Sequence, residues 1–164
     1  MRGAVPPLML PDELVAIAAE RGLTLATAES LTGGAVASAI VAVPGASAVF
    51  IGGVVTYTAD AKVSVLGVDA GLIAEHGIVS ESVALAMAEG ARELFGADLA
   101  VATTGVAGPE PHDGKAPGTV CVASVGPAGQ KATTNAFAGD REAVREASVG
   151  EALSLLAAVA EAAF

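Results

Sequence analysis

The stretch "LTLATAESLTGGAVASAI", residues Leu23 to Ile40, decides the fold class. Its first half alternates as a buried strand does. Its second half opens a run of small residues that reads as a helix from Gly33 to Val43, stopped by Pro44-Gly45. Between them lie Glu29, Ser30, Leu31, Thr32, Gly33 and Gly34. Glycines at a strand-to-helix junction let the backbone turn tightly and leave N–H groups unobstructed. A hydroxyl at that junction is either a helix cap or a nucleophile lifted towards solvent, with the free N–H groups of the helix start near a developing oxyanion. The motif is not a G-x-S-x-G elbow, because Ala28 occupies the first glycine position.

Outward from this junction, helices and strands alternate. Pro11 to Gly22 has Leu14, Val15, Ile17 and Ala18 on one face and a glycine stop. Ala48 to Tyr57 is β-branched, with Gly52-Gly53 marking a bulge or a close backbone approach. Short helices are expected over 59–67 and 69–77, and Ser80 caps a longer one reaching Gly96. Ala97 to Gly105 reads as a strand. Thr119 to Val125 and Lys131 to Gly139 pair as a hairpin across "GPAGQ", and a last helix opens at Asp140. The pattern predicts a three-layer α/β/α sandwich with a mixed β-sheet. At 164 residues the chain is about one domain, with residues 1–10 as a loosely ordered arm and 11–164 as the domain.

Composition narrows the function classes. Hydrophobic residues make up 53% of the chain, but the excess is alanine, glycine and valine, and no stretch offers the roughly twenty large apolar residues that span a bilayer. The N-terminal segment lacks the uninterrupted apolar core of a signal peptide, so a cytoplasmic location is expected. One cysteine, Cys121, excludes an intramolecular disulfide and a multi-cysteine zinc site. A formal charge of −10 opposes loose nucleic-acid binding, and 3% aromatics with no tryptophan offers no stacking platform. An anionic ligand would need the few basic residues gathered at its site.

A nucleophilic serine needs a base. His76 sits at an expected helix end, where the dipole favours it as a cap, and His112 sits in a loop between prolines. Lys62 follows Tyr57, the only tyrosine, by five residues, where a strand hands over to a short helix. Against the sheet edge, desolvation would bring its amine into the range of a general base, and Tyr57 could bond it or relay a proton. The bland alternative is a surface lysine and a half-wet tyrosine. The loop 105–118 fails as a phosphate loop: five residues separate Gly108 from Gly114, and Ala116 stands where a hydroxyl must hold magnesium. Glu110, His112 and Asp113 are read as solvated, and neither a metal nor a cofactor is called for. Arg141 and Arg145 stand in the first turns of the last helix, against the dipole. They either hold an anion with the free N–H groups or pair with Glu142 or Glu146.

In order, "AESLTGG", "VPGASAVFIGGVVTYTADAK", "HGIVSESVALAMAEGA", "VATTGVAGP" and "GDREAVR" resemble the CinA C-terminal domain family, the nicotinamide-nucleotide amidases, from about Glu13 onwards. The resemblance implies a compact α/β/α domain, without metal or cofactor, that hydrolyses nicotinamide mononucleotide to nicotinate mononucleotide and ammonia in pyridine-nucleotide recycling. It implies Ser30 as nucleophile, Lys62 as base and Tyr57 as assisting hydroxyl. Thr32, Gly33, Gly34, Thr104 and Gly105 would form the substrate pocket, with Arg141, and Arg145 beside it, towards the nucleotide phosphate. It also implies a homo-oligomer, with no nucleic-acid or membrane partner. Three features depart from the family pattern: Leu31 for a common cysteine, Ala59 for asparagine, and Glu110 to Gly114 for a glycine-rich turn. The alternatives are an inactive nucleotide-binding or regulatory module and an amidase of another small amide.

Overall fold

The computed structural model describes residues 9–163, so most of the expected arm lies outside the described residues. Five strands form one sheet: β1 (Leu25–Glu29), β2 (Phe50–Val55), β3 (Leu99–Gly105), β4 (Thr119–Gly126) and β5 (Gly129–Ala136). Their order is β2-β1-β3-β4-β5, with β1 parallel to β2 and β3, and the β3-β4 and β4-β5 pairs antiparallel. Six helices cover it: α1 (Pro11–Glu20), α2 (Ala35–Val41), α3 (Ala59–Leu66), α4 (Ala70–His76), α5 (Glu81–Phe95) and α6 (Arg141–Ala162). The expected three-layer sandwich with a mixed sheet is the observed architecture. None of the described helices is long and apolar enough to cross a membrane.

Strand alternation sets what each layer holds. Leu25, Leu99, Val101, Val120 and Val122 face α1, α2 and α6, where Leu14, Val36, Ile40, Leu153 and Leu156 are buried. The opposite positions, Ala26, Ala28, Ala100 and Ala102, are small, and α5 lies on them through Met87, Ala88 and Ala91. Large residues on one face and alanines on the other let α5 approach the sheet closely.

Two boundaries differ from the sequence reading. Helix α2 begins at Ala35 rather than Gly33, because Gly33 and Gly34 have φ of 60° and 102° and belong to the turn. The hairpin closes over Pro127 and Ala128 alone, since pairing runs out to Gly126 opposite Gly129. The glycine pair in β2 behaves as read. The β1–β2 register shifts by one residue beside it, and a side chain on Gly53 would strike Thr27 Oγ1. The chain leaves β1 for β2 on one side, then crosses to β3 on the other. The crevice at the carboxyl ends of β1 and β3 is therefore the place where open α/β sheets hold ligands.

Candidate active site

Ser30 is the first residue past β1, and its N–H donates to Thr103 on β3, to the carbonyl at 3.1 Å and to Oγ1 at 3.3 Å. The Thr103 hydroxyl lies 2.8 Å from that of Thr32, both fully buried. A tight turn follows, closed by Gly33 N–H on the Ser30 carbonyl at 3.1 Å. Next door, the Glu29 carboxylate accepts the N–H groups of Val36 at 2.8 Å and Ala37 at 3.1 Å. The first amides of α2, which the sequence offered as oxyanion donors, are thus taken up by Glu29, a buried carboxylate stabilised by two charge-assisted bonds.

Lys62 comes from α3, whose N-cap Thr58 accepts the Ala61 N–H at 3.1 Å. It is the largest fully buried side chain in the domain. Its Nζ lies 3.0 Å from Ser30 Oγ and 2.7 Å from the Thr56 carbonyl. Burial pushes its pKa from 10.5 down to about 8. No carboxylate is bonded to it among the described residues. As an ammonium it donates to both oxygens. As a neutral amine it keeps the Thr56 bond, and its lone pair is left for the Ser30 hydroxyl proton. The Thr56 carbonyl therefore aims the amine, and it is itself held because Thr56 N–H donates to the Glu29 carbonyl at 2.8 Å.

A cavity of about 650 Å³ opens over Ser30, walled by Tyr57, Thr104, Gly105, His112 and Arg141 among others. That volume suits a small organic ligand. Thr104 is fixed by donation to the Ile78 carbonyl at 2.9 Å. Arg141 donates to the Gly108 carbonyl at 2.6 Å and to the Tyr57 hydroxyl at 3.2 Å, which puts its charge on the cavity wall. The phenol that the sequence set beside Lys62 is bonded to Arg141 instead. Ala59 and Glu110, both noted as departures, line the cavity too.

The structure thus brings Ser30, Tyr57, Thr104, Gly105 and Arg141 around one space, with Lys62 buried behind Ser30. Thr32, Gly33 and Gly34 shape the turn beneath Ser30 and do not line the wall. Arg145 reaches the back of that turn, donating to the Leu31 carbonyl at 2.9 Å and the Thr32 carbonyl at 3.2 Å. Sequence reasoning assigned nothing to Glu29, Thr56 or Thr103. The signal for Glu29 was a charged residue ending an apolar strand. Thr56 acts through its backbone, which carries no residue signal. Among the described residues, no three His, Cys, Asp or Glu side chains are grouped to hold a metal ion.

Known proteins share this arrangement of elements. The CinA C-terminal domain family model matches residues 9–160. A CinA-like protein of Anaeromyxobacter sp. (strain K) is 52% identical over 148 residues, 90% of this chain and 36% of its own length. The CinA-like protein of Geobacter metallireducens is 50% identical, over 84% of this chain and 33% of its own length. The chain spans about a third of the length of the curated relatives it matches. Among solved structures, the competence/damage inducible protein CihA from Agrobacterium tumefaciens superposes with a TM-score of 0.88 at 38% identity, covering 92% of this chain and 93% of its own. A CinA superfamily protein from Klebsiella pneumoniae gives 0.89 at 38% identity, covering 93% and 96%.

Proposed function

The chain belongs to the CinA C-terminal domain family, and from that premise we propose that it is a serine-lysine amidohydrolase acting on nicotinamide mononucleotide. The observation that carries this reading is the buried, uncompensated Lys62 amine 3.0 Å from the Oγ of Ser30, which lines the cavity. A serine hydroxyl becomes a nucleophile when an adjacent neutral base takes its proton. A lysine whose pKa lies at about 8 is about one tenth neutral at pH 7.

The sequence of steps balances without a further reagent. Ser30 Oγ forms a bond to the carboxamide carbon while its proton passes to Lys62 Nζ, and the carbonyl electrons move to oxygen. Collapse of that intermediate breaks the C–N bond, and Lys62 returns the proton to the departing ammonia. Water then attacks the acyl-serine, with its proton again going to Lys62. The acid leaves and Ser30 recovers its hydrogen. Arg141, on the wall and part-exposed, is the cation available to the nucleotide phosphate, and Tyr57 keeps it in place. A second reading, hydrolysis of a different small amide, is favoured by Glu110 in the wall, since an acid there disfavours an anionic group.

The test is direct. Purified protein incubated with nicotinamide mononucleotide should release ammonia and give a product about one dalton heavier, the change from amide to acid. Ser30→Ala and Lys62→Met variants that keep the fold should lose on the order of a hundredfold or more in rate. Ammonia release that survives both substitutions removes the mechanism. Stabilisation by the nucleotide with no product supports the non-catalytic module instead.

A further inference from the structure

The segment Glu110 to Gly114, which departs from the glycine-rich turn of the family, is an ordered piece of wall. His112 and Lys115 exchange both backbone bonds, the His112 N–H reaching the Lys115 carbonyl at 3.1 Å and the Lys115 N–H the His112 carbonyl at 2.8 Å. The two residues between them, Asp113 and Gly114, have φ of 55° and 68°. Positive φ at both central positions marks the type I′ hairpin turn, for which Asp-Gly is a preferred pair. The base of the loop is rooted separately. Gly118 N–H donates to the Val106 carbonyl at 2.7 Å, and Arg141 holds the Gly108 carbonyl at 2.6 Å.

The tip is tied to the fold at one place. Asp113 Oδ2 accepts the Val79 N–H at 3.1 Å. Among the described residues, this is the only hydrogen bond that residues 109–115 make beyond themselves. The carboxylate also sits close against Gly77, where an added Cβ would strike its Oδ2. The donor belongs to a second stretch of wall: Ile78 and Val79 line the cavity, as do Glu110, Pro111 and His112. Thr104 holds that stretch from β3 through the Ile78 carbonyl. Asp113 therefore joins two lining segments across 34 positions of chain, by a charge-assisted bond stronger than a neutral one.

We propose that Asp113 is a positioning residue for ligand binding, latching the 109–115 tip to the Ile78-Val79 stretch so that the cavity holds its shape before a ligand arrives. The proposal deepens the amidohydrolase reading and rests on it for the identity of the ligand, but not for the latch. A wall fixed beforehand does not have to be ordered by the ligand, which is the gain of preorganisation. Asp113 does not itself line the cavity, and it bonds neither Ser30 nor Lys62, so it acts through the segments it joins. Its loss falls on binding rather than on acylation.

Two substitutions in the full chain separate the latch from the turn. Asp113→Gly deletes the carboxylate yet keeps the turn, because glycine accepts a positive φ without strain. Asp113→Asn keeps an oxygen acceptor for Val79 and tolerates the same φ. Affinity for nicotinamide mononucleotide and for its phosphate-free riboside is read by calorimetry in a Ser30→Ala background, where nothing is turned over. Asp113→Gly should raise both Kd values about tenfold, and Asp113→Asn should bring them back to within about threefold of the parent. Where Ser30 is retained, its acylation by a small uncharged aryl acetate should change less than about twofold. Amide exchange at Val79 should speed up in Asp113→Gly, which reads the latch even in a variant of lowered stability. Unchanged Kd values or unchanged Val79 exchange in Asp113→Gly overturn the proposal. So does an equal loss of binding and acylation, which would make Asp113 a support of the fold as a whole. Binding of the riboside and not the mononucleotide, with the same dependence on Asp113, leaves the proposal standing and removes the mononucleotide as substrate.

Discussion

Lys62 joins the folding of this chain to its chemistry. Its amine is charged in the unfolded chain up to a pKa of about 10.5 and in the fold only up to about 8, because burial penalises the cation. Between those values the unfolded state binds more protons, so stability must rise with pH through that window. Above it the lysine no longer matters, and below pH 8 the whole penalty is present. The shift corresponds to about 3 kcal/mol. The native chain should accordingly gain up to about that much between pH 8 and 10.5, and Lys62→Met should gain none from this source, as denaturant melts across the range would record. Under the proposed mechanism the same titration governs turnover. Only the neutral amine accepts the Ser30 proton, so kcat/KM should climb about tenfold per pH unit below 8 and level off above it. A flat profile between pH 6 and 9 sinks the assignment of Lys62 as the base.

At the scale of elements, the position of Lys62 depends on how closely α3 lies against α5. Gly90 makes that approach possible: a Cβ there would strike the Leu66 carbonyl at the last residue of α3. On helix propensity alone, Gly90→Ala should stabilise α5 by about 1 kcal/mol. Against the Leu66 backbone it should instead cost about 1–3 kcal/mol and displace α3, lowering both Tm and kcat. A raised Tm with unchanged turnover would mean the two helices are farther apart than described. The same contrast shows what the sequence made legible. Strands and helices were readable in order because their apolar periods are local, and Ser80 and Asp140 marked helix starts by capping chemistry, with bonds to Val83 at 3.2 Å and Ala143 at 2.9 Å. Ser30 and Lys62 were readable because strand ends converge in an α/β sheet, and because so few other bases exist. The clamp of Arg145 on a turn 114 positions earlier was not readable, since its partners are backbone oxygens. For the same reason the role of Glu29, satisfied by two amides of the next helix, left no sign in residue type beyond an acid in an apolar setting.

The whole molecule contributes a field. A formal charge of −10 surrounds a cavity whose wall carries Arg141 as well as Glu110, so the long-range field and the local arginine oppose each other for an anionic substrate. The mononucleotide combines a pyridinium with a phosphate whose second pKa is about 6, for a net charge near −1 at pH 8, whereas the riboside carries only the pyridinium, +1. From about 10 to 100 mM salt the Debye length falls from about 30 to 10 Å, which screens the distant surface carboxylates but hardly touches a contact with Arg141. Raising salt over that range should therefore increase kcat/KM for the mononucleotide and decrease it for the riboside, with kcat little changed for either. Steady-state assays in parallel salt series read the two slopes directly. Slopes of the same sign would mean that the net charge plays no part in substrate capture, and slopes reversed from these would mean that Arg141 alone sets the salt response. Opposite slopes would instead explain how an acidic surface admits an anion: the repulsion is diffuse and screened, while the attraction is short and fixed by the bonds that hold Arg141 to Gly108 and Tyr57.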